Sequence, residues 1–501
     1  EISACLVGSE MCIRDSLLVV APLLAAPLVV VVRGTRLPWA IAVAVCAAAA
    51  VMAAELLARV TASGPVSYAI GNWPPPWGIE YRIDAANALV ALLVALLALA
   101  SLAYARRSAA AEIGDERQYL FYALMLLCVA GLLGIAVTGD AFNLFVFLEI
   151  SSLSTYVLVA MGRDRRALTA AFQYLILGTV GATFYVIGVG ILYLATGTLN
   201  LADMAVRLAA VGDPRPAVVA LAFITAGLGL KLALFPLHAW LPGAYAQAPS
   251  AVAAFLAGTA TKVSLYALAR IWFTVYGADS VLRDVPAGAI LAALSVAAAF
   301  VASGIAVFQD DLKRLLAYSS VGQIGYITLG LSLQTQPGVA AAMAHVVNHG
   351  VTKSALFLLA GAMALRLGGT RMERLAGVGR TMPVTAFAFV IGGLSLVGVP
   401  GTAGFVTKWA LASAAFEAGR PLFAAVVLLS SLVALAYVWR FVELAYFRDP
   451  PAGAPPPGEA PASMTGVALA LTAAVVAMGV HGSPVLEAAA NAAAALMGGT
   501  R

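Results

Sequence analysis

Charge is scarce in this sequence. Asp, Glu, Lys and Arg make up 11% of its 501 residues, against roughly 25% in an ordinary soluble domain. Hydrophobic residues fill 62% of the chain. Those two figures exclude a water-soluble globular protein and leave a membrane protein. Cysteine is equally sparse. Cys5, Cys12, Cys46 and Cys128 form no Cys-x-x-Cys pair, so neither a disulfide framework nor a metal cluster is indicated. The net charge of +5 is scattered over short loops, without a basic tail or stripe. It reads as membrane topology, not as a nucleic-acid surface. No flavin motif or nucleotide loop occurs, so no cofactor is expected.

Long apolar runs are what the chain has instead. At roughly 20 residues per span, fourteen candidate spans can be drawn, at about 17–33, 38–60, 85–105, 118–138, 140–161, 167–196, 216–242, 248–274, 286–308, 312–334, 337–366, 383–417, 421–446 and 464–483. The fold class expected is an all-α polytopic membrane protein. Residues 1–16 begin without Met and stop abruptly at the first span. They are expected to be a leader foreign to the fold, with 17–483 as the membrane domain and 484–501 as a short tail. Residues 61–84 hold Tyr68, Trp73, Pro74 to Pro76, Trp77 and Tyr81, which suits an interfacial loop or hairpin. Residues 449–462, rich in Pro, Gly and Ala, form one flexible linker too short to separate domains.

Loop charge sets an orientation. Alternate loops carry Arg33/Arg36, Arg106/Arg107/Arg117, Arg163/Arg165/Arg166, Lys313/Arg314 and Arg366/Arg371/Arg374/Arg380. The opposite set has only scattered cations such as Arg82, Arg207, Arg215, Arg283 and Arg420. The positive-inside rule places the first set in the cytoplasm and both termini outside.

An internal repeat is visible. Gly197-Thr198 with Asp203 echoes Gly369-Thr370 with Glu373, each just after a long span. The next span in each case contains a proline, Pro236 and Pro400, and the one after ends in aromatics around Arg270 and Arg440. Units at about 118–274 and 286–446, each with an odd number of spans, would lie inverted in the membrane. Paired broken helices in inverted repeats are a transporter signature.

Glu149, Lys231, Lys262, Lys353 and Lys408 sit deep within apolar spans. A charge at mid-membrane costs about 2.5–3.5 kcal/mol on insertion scales, so five cost roughly 12–18 kcal/mol before partners offset them. Lys231 lies five residues before Pro236, and Lys408 eight after Pro400. Backbone carbonyls freed by proline are tolerated at membrane depth only inside protein or beside a wet cavity. Burial disfavours the charged form of a carboxylate or a lysine, and pairing restores it. A glutamate whose lysine partner can withdraw therefore alternates between holding and releasing a proton. A static Glu149–lysine bridge that fixes helix packing is the plainer alternative, although it gives Lys262, Lys353 and Lys408 no reason to be there.

His345, His349 and Lys353 recur at i, i+4 and i+8, along one helix face. The His-x-x-x-His pair lacks a metalloprotease glutamate and an evident third ligand, so no metal is expected. His238, just after Pro236, reads equally as a relay or as a satisfied polar residue. Asp310 and Asp311 suit a helix start. Ser319, Ser320 and Gln323 suit helix–helix hydrogen bonding or a held water.

Together these residues resemble the antiporter-like membrane subunit family. It includes the D-type subunits of Mrp cation/proton antiporters, the large proton-pumping subunits of respiratory complex I, and their counterparts in membrane-bound hydrogenases. The carriers are Phe142-Asn143 to Glu149, Lys231 to Pro249, Thr261-Lys262, Asp311 to Ser320, His345 to Lys353, and Gly398-Val-Pro-Gly401 to Lys408. The resemblance implies fourteen transmembrane helices, two inverted five-helix repeats and helices broken at Pro236 and Pro400. It also implies a Glu149–Lys231 pair joined through Lys262 and the His345/His349/Lys353 helix to Lys408. Gly-Leu-Gly-Leu-Lys231 and the stretch after Glu149 look most similar to the D-type antiporter subunits or their hydrogenase relatives. Gly243-Ala244 departs from relatives, which often carry Asp there. The chain also stops soon after the last span, unlike the largest complex I subunit with its long lateral helix. The function so implied is proton translocation in a multisubunit sodium (or other monovalent cation)/proton antiporter of a prokaryotic plasma membrane, with other membrane subunits as partners. A proton-pumping subunit of a complex I-like or hydrogenase-like enzyme is the alternative, and a membrane scaffold is a third reading.

Overall fold

The computed structural model describes residues 2–277, 285–451, 453 and 456–498, with side chains from Ser16 onward. The side chains of leader residues 1–15 therefore lie outside the described residues, as does Arg283; the leader's backbone from Ile2 continues helix α1 (Ile2–Val32). Helix α2 (Arg36–Ser63) leads into an antiparallel hairpin, β1 (Val66–Ala69) against β2 (Glu80–Ile83), where the aromatic, proline-rich loop was expected. Asp84 then caps α3 (Ala85–Glu112), accepting hydrogen bonds from Ala86 N and Asn87 N.

The first repeat unit runs through α4 (Gln118–Val137), α5 (Ala141–Ala160), α6 (Arg166–Thr196), α7 (Leu201–Leu208), α8 (Arg215–Leu232), α9 (Trp240–Gln247) and α10 (Ser250–Val275). The second comprises α11 (Ala287–Val307), α12 (Leu312–Ser332), α13 (Gln336–Leu367), α14 (Pro383–Val397), α15 (Ala403–Glu417) and α16 (Pro421–Phe447). Helices α17 (Ala462–Val480) and α18 (Ser483–Met497) follow.

Eleven of these helices are long and apolar enough to cross a membrane, among the described residues, and two more apolar segments are shorter. The expected fourteen are not reached on that measure. The halves α14 and α15 are individually short, and α12 carries Lys313, Arg314 and a run of hydroxyl and amide side chains. The outer surface is apolar where lipid would touch it. Leu168, Phe172, Ile176 and Val180 stand exposed at helical spacing along α6.

Backbone hydrogen bonds repeat between the units. Ala141 N donates to Leu199 O and Leu201 N to Gly139 O; Leu312 N donates to Thr370 O and Met372 N to Asp310 O. Asp140 and Asp311 cap the paired helices α5 and α12. Gly197 and Gly368 end α6 and α13 at φ 71° and 74°, the left-handed conformation glycine adopts without strain. The true register therefore pairs Gly197 with Gly368, one residue off the motif alignment with Gly369. Both units also end in a π-helical turn, Arg270–Val275 and Glu443–Phe447.

Two further readings change. The described part of the 449–462 linker is pinned, not free: Glu459 accepts from Val384 N and Thr385 N at the start of α14, and Gly458 N donates to Thr381 O. The expected tail contains α18, which buries Ala489, Ala492, Ala493 and Leu496 against α13 and α3. Small residues at those positions let the helix approach closely.

Candidate functional site

Helix α8 stops within the protein. Ala233 takes φ 59°, and the chain passes through Pro236 before α9 begins. The C-terminal carbonyls of a helix have no partner within it, and Trp240 Nε1 donates to one of them, Leu230 O, at 2.8 Å. Lys231 sits in this last turn, 6% exposed. It reaches α5 because α6 and α8 approach backbone to backbone: a Cβ on Gly227 would lie 2.5 Å from Gly181 O. Lys231 Nζ stands 3.6 Å from Glu149 Oε1, an ion pair beyond hydrogen-bond length. It donates to Ser152 Oγ at 2.7 Å and to Tyr156 OH at 3.4 Å. These two hydroxyl partners were not singled out from the sequence, although both lie on the Glu149 helix at i+3 and i+7, where one face repeats. The Glu149 side chain is a quarter exposed, on the edge of the outer face of α5.

Helix α10 is buried along nearly its whole length. It contains a break no proline announces. Thr259 departs from helical geometry at φ −125°, ψ −56°. Its hydroxyl donates to Phe255 O, and the Lys262 ammonium turns back to Ala257 O and to Thr261 Oγ1. A hydroxyl and a lysine thus serve carbonyls near the break.

Helix α13 runs through the centre, packed against α3, α10, α12, α14, α15, α17 and α18. His345 Nδ1 pairs with Thr407 Oγ1 at 2.8 Å and Nε2 with Gln323 Oε1 at 3.1 Å. The His349 ring stacks on His345, centroids 6.1 Å apart and 7° from parallel. Neither His349 nitrogen has a hydrogen-bond partner among the described residues, although the residue is 1% exposed. Lys353 donates to Leu316 O at 2.9 Å and to the Ser319 hydroxyl. Helix α10 meets α13 here: Ser354 Oγ donates to Ala254 O at 2.9 Å, and a Cβ on Gly350 would lie 2.9 Å from Gly258 O.

Lys408 follows the second break, from Gly398 (φ 90°) to Thr402. It donates to the terminal carbonyls of α14, Leu396 O at 2.7 Å and Val397 O at 3.1 Å, and to Ser431 Oγ at 2.9 Å. Its ammonium also lies over the Tyr326 ring, 4.5 Å from the centroid, and Tyr326 meets His345 edge-on. Gln323 binds both His345 and Leu396 O, so it ties the histidine to the broken helix.

The seven expected residues therefore fall into two groups. Glu149 and Lys231 form one; Lys262, His345, His349, Lys353 and Lys408 form the other. Between them runs an aromatic row that sequence reasoning missed. Tyr156 meets Tyr174 edge-on, Tyr174 stacks on Trp240 at 4.0 Å, and Trp240 meets Tyr245. Tyr245 OH donates to Leu256 O, one residue from the carbonyl Lys262 holds. His238 stands apart from both groups, stacked on Phe235 with Nδ1 unpartnered. Lys313, read as a loop cation, is buried and donates to Ala248 O.

A second polar cluster was also missed. Arg270 Nη2 lies 2.7 Å from Asp84 Oδ2, both buried, and Arg270 Nε donates to Tyr266 OH. Glu80 accepts from Ser67 Oγ and Asn200 Nδ2 nearby. These acids come from the hairpin and the cap of α3, far from Arg270 in sequence, so no local spacing could reveal the pairing.

Fold and site together define a polytopic helical membrane protein with broken helices and a row of buried ionisable groups. Residues 138–434 match the family described as NADH:quinone oxidoreductase/Mrp antiporter, transmembrane. The chain is 45% identical to the N-type subunit of the NADH-quinone oxidoreductase of Desulforudis audaxviator, over 89% of this chain and 90% of that one. It is 33% identical to the D-type subunit of the Na(+)/H(+) antiporter of Alkalihalophilus pseudofirmus, over 76% of each. Its structure resembles a chain of the Mrp complex from a Dietzia species at TM-score 0.89 and 30% identity, covering 97% and 98% of the two chains. The protein belongs to the NADH:quinone oxidoreductase/Mrp antiporter transmembrane family.

Proposed function

We propose that this chain translocates protons as one subunit of a multisubunit monovalent cation/proton antiporter, with sodium as the expected cation. The observation that carries the reading is the Glu149–Lys231 pair at the end of a broken helix. Lys231 has hydroxyl partners to hold it when Glu149 takes a proton. Glu149, Lys231, Lys262, His345, His349, Lys353 and Lys408 are the proposed stations, with the Tyr156–Tyr245 aromatic row between the two groups. Buried lysines with hydroxyl partners and paired imidazoles are suited to passing a proton within each group. We further place the chain in a prokaryotic plasma membrane, beside other membrane subunits, with both termini outside.

Replacing Lys231 or Lys408 with Ala in the reconstituted complex tests the reading. Normal assembly with undiminished proton transport would sink it and leave the scaffold role. A second reading, a proton-pumping subunit of an NADH-quinone oxidoreductase-like enzyme, is favoured by the 45% identity to an N-type subunit of such an enzyme. Flavin or iron–sulfur absorbance in the natively co-purified complex would select it over the antiporter.

A further inference from the structure

On the face carrying the arginine-rich loops, a cavity of about 220 Å³ opens between α2, α3 and the start of α4. Arg36, Arg106 and Arg107 line it, with Trp39, Tyr122 and a single acid, Asp115. Asp115 already accepts a hydrogen bond from Gln118 Nε2 at 2.6 Å. None of the three arginines has a carboxylate within ion-pair distance among the described residues. The lining therefore carries a net charge of +2 by side chains (three arginines, one aspartate). Arg106 is held in place, its guanidinium 4.8 Å over the Trp39 ring, and Trp39 Nε1 is anchored to Leu102 O.

Tyr122 supplies an independent sign of a ligand. It is 0% exposed, lines the cavity, and its hydroxyl has no hydrogen-bond partner among the described residues. A buried phenol normally finds one. Three guanidiniums and an unused O–H donor together complement a phosphate diester: planar guanidiniums grip phosphate oxygens in pairs, and the phenol donates to another.

We propose that this cavity binds the headgroup of an anionic phospholipid. Its setting selects a lipid over a free anion. Trp39 is the aromatic type enriched at headgroup level, and Leu37 and Leu120 beside the cavity are exposed apolar side chains on which acyl chains can lie. Basic pockets between helices are a known means of holding cardiolipin-type headgroups. The site uses none of the proposed proton-carrying residues, so it stands or falls independently of that reading.

The test uses the native complex, delipidated in mild detergent. Cardiolipin, phosphatidylglycerol, phosphatidylcholine and inorganic phosphate are titrated separately, with retained lipid read by native mass spectrometry and Tm measured in parallel. Cardiolipin and phosphatidylglycerol are expected to bind and raise Tm, and phosphatidylcholine is not. At about fivefold per arginine, the triple variant Arg36→Gln/Arg106→Gln/Arg107→Gln should bind the anionic lipids roughly a hundredfold more weakly. Tyr122→Phe should weaken binding severalfold without lowering the lipid-free Tm, which guards against a folding defect in the triple variant. Undiminished lipid binding by both variants overturns the proposal. So does inorganic phosphate raising Tm as far as cardiolipin, or a structure of the native complex in which a neighbouring subunit's carboxylate lies within ion-pair distance of Arg106.

Discussion

Glu149 and Lys231 face one another at 3.6 Å, yet the nearest group to the lysine is the Ser152 hydroxyl at 2.7 Å. The ammonium is shared between a carboxylate and two hydroxyls, and the carboxylate is a quarter exposed while the lysine is buried. The lysine therefore keeps two hydroxyl partners that do not depend on the carboxylate. Glu149→Gln leaves a buried ammonium without its counter-charge, a loss of about 3–5 kcal/mol for a fully buried pair. The lower part of that range is expected here. Lys231→Met with Glu149→Gln should recover stability but not transport. Unfolding temperature and proton flux in proteoliposomes measure the two effects; transport restored with stability would identify a packing bridge.

Gly178 offers a test that touches no charge. A Cβ there would stand 1.9 Å from Tyr156 OH, so Gly178→Ala must displace the phenol that Lys231 contacts. Overpacking of this kind costs about 1–3 kcal/mol. Tyr156→Phe should lower proton flux with a smaller effect on stability, and a flux equal to wild type in both variants would remove Tyr156 from the route.

His349 separates structural from functional demands. With no protein hydrogen bond to lose, His349→Leu should hold or raise the unfolding temperature, since an unsatisfied buried polar group costs about 1–3 kcal/mol. Flux is expected to fall about a hundredfold, the low end of what a positioned proton-transfer group contributes. Stable protein with full flux would exclude His349 as a station.

Asp84 and Arg270 form the tightest buried ion pair among the described residues, at 2.7 Å. Asp84 also caps α3, so Asp84→Ala removes a cap and strands a guanidinium. A loss of about 3–5 kcal/mol is expected, with the unfolding temperature little changed by salt because buried pairs are weakly screened. Recovery by Asp84→Asn, which keeps the cap oxygen, to more than half of wild-type stability would assign the effect mainly to capping.

Much of the fold was legible because lipid imposes a simple rule. Every backbone group in a lipid-exposed span must be satisfied within a helix or closed barrel, so an apolar run of sufficient length announces itself. Pro236 and Pro400 likewise mark broken helices, since proline removes a donor. The Thr259 break carried no such mark, because a side-chain hydroxyl and a lysine serve carbonyls there. The repeat was visible in glycines but misaligned by one residue, and only the paired backbone bonds fixed its register.

Composition and spacing alone established a helical membrane protein, its buried charges and the shared face of His345, His349 and Lys353. Helical periodicity and the cost of charge in lipid are local properties, readable along the chain. Tertiary structure alone decided that Lys231 meets Ser152 and Tyr156, that Thr407 and Gln323 hold His345, and that Arg270 finds Asp84 186 residues away. Hydrogen bonds reach only about 3 Å, so such partners depend on which helices pack together, and no spacing along the chain encodes that.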